Sequence, residues 1–381
     1  MRISAQTTTA PGADGASRSG GRLRVGYVPL IDSAPLVIAQ THGFFERAGL
    51  EVELVREVGW ASVREKIRLG ELDGAQAPAS MVFELSEGLG VLPEACFTGL
   101  VTAHHGNALV LSMELWELGV RDAHSLARVV RAHRGKRRFI FAGVLNYSSQ
   151  NYLMRRWLLS GGLRPEQDVD LAMVPPPQVR RCLEAGHLDG FCVAEPWGSA
   201  VIAAGLGWSP DLSADFDPGH PEKVFLVTDE FHRRRPSDHM ALLTALLAAA
   251  RFCEEPRNRR GVAQVLAQPG FLDLPEEILR PALVGPYPMG CERERPGDDV
   301  IRFAGEGINA PTEEKARWVL EEIARHGLSR GMAPLSTAAI AARFRMDVFE
   351  EAAAMVRFLP PPPATAEPVS VPPAEGPNPF S

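Results

Sequence analysis

The sequence predicts an α/β protein of two lobes, each a mostly parallel sheet flanked by helices, with a ligand cleft between them. Three observations carry this. A unit of strand, helix, strand, helix, tight turn and strand occurs twice along the chain. Both copies close on the same pattern, Gly70-Glu71-Leu72-Asp73-Gly74 and Gly186-His187-Leu188-Asp189-Gly190. The 381 residues, 45% of them hydrophobic, suffice for two cores.

The first copy opens on RLRVGYVPL, whose β-branched alternation reads as a strand. The helical stretch SAPLVIAQTHGFFERAGL follows, with Ser33 as its expected N-cap and Pro35 in its first turn. Next come the strand EVELVREV, a helix from Trp60 to Leu69, and the turn into AQAPAS. The second copy repeats the order: strand RFIFAGVL from Arg138, helix SSQNYLMRRWLLSGG, strand DVDLAMV, helix QVRRCLEA, and the strand FCVAEP after its turn. Beyond Lys223 the strand VFLVT is expected, then helices over Ser237–Glu255, Thr312–His326 and Ser336–Phe358. The expected division is a disordered segment over 1–21, lobe 1 over 22–118, lobe 2 over 119–215, a return to lobe 1 with bracing helices over 216–359, and a Pro-rich disordered tail over 360–381.

Composition excludes several functions. A net charge of −7 speaks against a nucleic-acid footprint, which needs clustered Lys and Arg. No apolar run reaches the 18 or so residues of a membrane span. Cys96, Cys182, Cys192, Cys253 and Cys291 are scattered and form no C-x-x-C pair, so reduced, buried thiols are expected rather than zinc or dithiol chemistry. Met1–Gly21 has no apolar stretch of the kind an export signal needs, which gives a cytoplasmic protein as the expectation.

In a two-lobed α/β fold the carboxyl ends of the strands and the helix N-termini face the cleft, where unpaired N–H groups suit a small anion. Trp60 stands where a strand gives way to a helix, so its indole N–H either meets the cleft or the ring packs the helix base. Ser148, Ser149, Gln150 and Asn151 open a second-copy helix; they can cap it, and they are more polar groups than capping needs. Lys223 either supplies a bound anion with a full positive charge or is a solvated lysine at a strand entrance. Asn107 offers an amide donor at the entrance of ALVLS or is an ordinary loop residue. His104 and His105 are adjacent on an extended segment, point to opposite faces and chelate a metal poorly. No nucleophile with an assignable base occurs, nor a P-loop, G-x-S-x-G or H-E-x-x-H. Candidates that are all donors indicate a binder rather than an enzyme, with neither metal nor cofactor.

The segments GYVPLIDSAPLVIAQTHGFF, WASVREKI, LGELDGA, HGNALVLS, NYLMRRWLLSGGL, VPPPQV, GHLDGFCVAEPW and HPEKVF resemble the nitrate- and bicarbonate-binding proteins of ABC importers and their cytoplasmic nitrate/nitrite-sensing (NasS-like) relatives. The resemblance implies a type II periplasmic-binding-protein-like fold. It places the anion ligands on Trp60, Asn107, Lys223 and, where the family usually has histidine, Gln150. A glutamine there donates a hydrogen bond but never titrates, so affinity is expected to vary little across roughly pH 6 to 8. With no export signal expected, the resemblance points to the sensor branch. That implies binding nitrate or nitrite and releasing a response-regulator-like RNA-binding antiterminator, with no direct contact to nucleic acid or membrane. The alternatives are the substrate-binding component of a nitrate, nitrite or bicarbonate transporter, and a pyrimidine-precursor synthase of similar fold. The synthase's clustered-cysteine motif is missing here.

Overall fold

The computed structural model describes residues 21–359 apart from 298, 330, 331 and 333. The expected disordered tails thus fall almost wholly outside the described residues. The chain lays down β1 (Leu23–Tyr27), β2 (Val52–Arg56), β3 (Gly74–Pro78) and β4 (Cys96–His105) in a first sheet. It crosses to a second sheet with β5 (Asn107–Ser112), β6 (Ile140–Gly143), β7 (Asp170–Met173), β8 (Gly190–Ala194) and β9 (Gly207–Trp208). It returns with β10 (Pro221–Thr228), forms a small hairpin of β11 (Tyr287–Gly290) and β12 (Arg293–Arg295), and ends the first sheet with β13 (Ile301–Arg302).

The sheet orders are β13-β4-β10-β3-β1-β2 and β7-β6-β8-β5-β9. In the first, β1 pairs in parallel with both β2 and β3; in the second, β6 pairs in parallel with both β7 and β8. The duplication in the sequence is therefore a duplication in space. The parallel character stops at its edge, because β10 runs antiparallel to β3 and β5 antiparallel to β8. Each sheet receives that antiparallel neighbour from a segment arriving out of the other lobe. Both sheets are accordingly mixed, and the lobe boundaries move. The first crossing falls at Gly106, not after residue 118, because β5 follows β4 across this one glycine (φ 84°) and joins the other sheet.

The repeated pentapeptide has a defined job. Asp73 N donates to Arg24 O and its carboxylate accepts from Arg24 N, both at 2.8 Å. Asp189 does the same to Ile140, at 2.8 and 2.7 Å. Each aspartate thus completes the ladder of its copy's first strand, satisfying an N–H that the short third strand leaves unpaired. Leu72 and Leu188 are buried. Gly70 and Gly186 adopt left-handed φ of 69° and 71° to end the preceding helices. Gly74 and Gly190 admit close neighbours: a Cβ there would lie 2.6 Å from the Phe225 ring and 2.7 Å from Leu111.

Helices sit near their expected places, with three differences, the first being that the stretch from Ser33 breaks at Gly43 (φ 66°) into the helices Ala34–Thr41 and Phe44–Arg47. Ser33 does not cap by its side chain; its hydroxyl donates to Leu30 O within the 3-10 turn Ile31–Ser33, and the helix Ala34–Thr41 follows. The expected helix Ser336–Phe358 is two, Thr337–Arg343 and Met346–Met355, because Phe344 leaves helical geometry to bridge Thr98 and Arg345 N donates to Thr98 O. All five cysteines are free, three buried and two half-buried.

The larger apolar cluster extends from β1 and β10 to Tyr152, Val193 and Trp197 of the second lobe. A smaller one gathers Leu126, Phe139, Phe141, Trp157 and Trp208. Phe141 and Ala142 belong to different clusters, as the two faces of a strand require. The lobes are in contact: Ile31 N donates to Glu195 O at 2.9 Å, and Ser80 Oγ to Tyr147 O.

Candidate oxyanion site

Between the lobes the chain ends of both sheets bring together a cluster of polar groups buried away from solvent. The turn after β1 contributes Asp32, β3 contributes Gln76, and the helix Trp60–Arg68 begins at Trp60. The start of β5 supplies Asn107, the helix Ser149–Ser160 supplies Ser149 and Gln150 from its first turn, and the β10 entrance supplies His220, Glu222 and Lys223. None of these is more than 4% exposed.

Lys223 is neither solvated nor the uncompensated charge the sequence suggested. It is fully buried between two carboxylates: its Nζ lies 2.9 Å from Asp32 Oδ2 and also donates to Glu222 Oε1. The Trp60 ring covers it, with Nζ 5.3 Å from the ring centroid. Asp32 is in turn held by Gln76 Nε2, and Gln76 Oε1 accepts from Val28 N at 3.3 Å.

The centre of the cluster is the Glu222 carboxylate. Ser149 Oγ donates to Oε1 at 2.7 Å and Gln150 Nε2 to the same oxygen at 2.9 Å. Asn107 Nδ2 donates to Oε2 at 2.7 Å. Gln150 Nε2 also donates to Asn107 Oδ1 at 2.8 Å, which ties the two amides together. His220 Nε2 stands 3.3 Å from Oε2, at ion-pair distance but off hydrogen-bond geometry. Burial by itself would raise the Glu222 pKa; the Lys223 ammonium and His220 outweigh it and hold the carboxyl well below the usual range. Burial would likewise lower Lys223, but Asp32 and Glu222 raise it. For Asp32 burial prevails over Lys223, and its pKa is raised.

Of the residues expected at the site, Trp60, Asn107, Ser149, Gln150 and Lys223 are brought together. Ser148 is not among the donors: it caps the helix, accepting from Asn151 N, and its hydroxyl donates to Leu145 O at 2.7 Å. Asn151 is occupied with Asn146 O. The Trp60 indole N–H is buried and meets no acceptor among the described residues, an arrangement that costs free energy unless a ligand completes it. Sequence reading missed Asp32, Gln76, His220 and Glu222. The overlooked signal was a pair of charges, Glu222-Lys223, at the head of an otherwise apolar strand, where charged residues are rarely buried unless partnered. Consecutive strand residues ordinarily face opposite ways. Here the register of β10 against β4 slips on either side of Lys223, and both side chains reach one place. His220 also removes the premise that no histidine lies at the site.

Two mixed α/β lobes closed over buried oxyanion donors define a two-lobed solute-binding fold of the periplasmic-binding-protein class. The chain belongs to the NMT1-like family, whose model matches residues 19–267. It is 38% identical over 308 residues to the nitrate import ATP-binding protein NrtC of Synechocystis, covering 80% of this chain and 46% of that one. It is 28% identical to the bicarbonate-binding protein CmpA of Synechococcus elongatus, covering 87% and 77%. The chain thus spans about half the length of the ATP-binding relatives it matches. The crystal structure of the periplasmic nitrate-binding protein NrtA of Synechocystis superposes with a TM-score of 0.82 at 24% identity, covering 91% of each chain. The resemblance drawn from the sequence to nitrate- and bicarbonate-binding proteins is thereby upheld at the level of the family.

Proposed function

We propose that this protein binds one small planar oxyanion, nitrate, nitrite or bicarbonate, between its lobes without chemical change, as the substrate-binding part of an importer. The observation that carries this is the cradle itself. Two amides, a hydroxyl and an ammonium already converge on a planar pair of carboxylate oxygens. Nitrate and bicarbonate present the same O–X–O plane with a third oxygen, and the unpartnered Trp60 N–H is a donor in reserve. The relatives named for nitrate import and bicarbonate binding support the ligand class. Calorimetric titration of the purified protein with each of the three anions tests it. Binding of at least one at one per chain is expected, and silence with all three at millimolar concentration contradicts it.

A second reading, a cytoplasmic sensor that holds an RNA-binding antiterminator until nitrate or nitrite binds, is favoured by one feature. A switch needs an ordered ligand-free state, and the satisfied cradle supplies one. Co-purification of such an antiterminator from native lysate, lost on adding nitrate, distinguishes the sensor from the importer component.

A further inference from the structure

We propose that Glu222 is a built-in competitor for the anion: its carboxylate holds the oxyanion donors in the empty protein, and an incoming oxyanion takes its place while Glu222 takes up a proton. This rests on the oxyanion reading above and adds the residue that sets affinity and its pH dependence.

The donors are already spent. The Asn107 amide, the Ser149 hydroxyl, the Gln150 amide and the Lys223 ammonium all point their hydrogens at one carboxylate, and Gln150 divides its remaining reach with Asn107 Oδ1. An anion entering this sealed space cannot share those donors with a second negative charge, because repulsion between like charges is barely screened where water is excluded. The carboxylate has to leave its donors, and what kept it ionised goes with them. Lys223 is not orphaned by the exchange, since Asp32 stays on it at 2.9 Å.

The same cluster provides for the proton. His220 Nδ1 lies 2.7 Å from the Asp217 carbonyl, which can only accept, so Nδ1 carries hydrogen. In the neutral ring Nε2 would then turn a lone pair toward Glu222 Oε2, 3.3 Å away. That lone pair is an acceptor placed to hold the proton that Glu222 takes up from solvent when the anion arrives. The other ionisable groups around the pair are Lys223 and Asp32 at the carboxylate, the Cys192 thiol on β8, and, beside His220, the buried His104 on β4, the His105 ring (centroids 5.4 Å apart) and the Asp217 carboxylate neutralised by Arg156. His220 also lines a cavity of about 710 Å³ whose residues include the exposed Glu306 and Glu313, a route for protons from solvent.

The sign follows from linkage. Glu222 is ionised when empty and protonated when the anion is bound, so affinity is highest in acid and falls as pH rises, by up to about tenfold per unit for one linked proton. Titrate the wild type and Glu222→Gln with nitrate, nitrite and bicarbonate at pH 6.5 and 8, in buffers of different ionisation enthalpy. The glutamine keeps the volume and leaves Lys223 paired with Asp32. The expected result is uptake of about one proton per anion and weaker binding at pH 8 in the wild type. In Glu222→Gln, binding at least tenfold tighter at pH 8, with neither effect, is expected. If the wild type binds and the variant binds equally or more weakly, Glu222 does not compete, and the oxyanion reading survives alone. If neither binds any of the three, the oxyanion reading itself has failed. Should the variant not fold, the wild-type proton count decides: about one supports the proposal and none overturns it.

Discussion

The two copies of the repeated unit share a scaffold and divide the chemistry. Both set three parallel strands in the same order, and both lock the first strand with an aspartate from the closing turn. At the cleft they part. The first copy brings a charge and a ring, Asp32 and Trp60, on a 3-10 turn and a helix start; the second brings neutral donors, Ser149 and Gln150, from a helix capped by Ser148. The repeated residues hold the sheets, and the unrepeated ones face the ligand. The charge that matters most, Glu222 with Lys223, belongs to neither copy but to the returning strand β10 that closes the first sheet.

Acid should expose the largest difference between the lobes. His104, His105 and His239, all in the first lobe, are buried and neutral, with pKa values lowered by burial to about 2, 4 and 3. The second lobe's His124 and His187 are exposed. Neutral burial is favourable above the unfolded-state pKa of about 6.5 and is lost as pH falls toward the folded values, each histidine contributing about 1.4 kcal/mol per unit. Denaturant unfolding followed from pH 7 to 4 should therefore show a steep loss of stability. Proteolysis should nick the first lobe first, and a flat profile over that range would break the contrast.

Next comes Lys223→Ala. Because the lysine is buried between two carboxylates, its removal should abolish anion binding and also cost about 3–5 kcal/mol of stability, whereas a solvated lysine would cost almost nothing. Chemical denaturation separates the two. The aspartate clips test the scaffold: Asp73→Asn and Asp189→Asn should each cost about 1–3 kcal/mol and leave anion affinity unchanged. The loss should be greater at Asp189, which also pairs with Arg137. Smallest in stability is Trp60→Phe, which keeps a ring over Lys223 and removes the N–H; affinity should fall by about tenfold, with little change in melting temperature.

How much of this was legible in the sequence follows the same division. The duplicated unit could be read because five elements and a five-residue turn recur in order, and each glycine, leucine and aspartate of the turn has a local reason to be there. Five of the six expected site residues meet in space because donors at helix starts and strand ends must face the cleft of such a fold. Ser148 misled because capping and ligation ask for the same hydroxyl. Glu222 and Asp32 stayed hidden because their burial depends on partners far along the chain, and Glu222 also needs the slipped register of β10. The lobe boundary was misplaced because β5 follows β4 after a single glycine, and nothing local says that it pairs elsewhere.

The central claim is that Asn107, Ser149, Gln150 and Lys223 form an oxyanion cradle. A crystal structure of the protein grown with saturating nitrate or bicarbonate tests it most directly. The anion is expected on these four residues, in contact with the Trp60 N–H, with Glu222 turned off them. An anion bound elsewhere, or a Glu222 carboxylate still on Lys223 and the two amides at saturation, would contradict it.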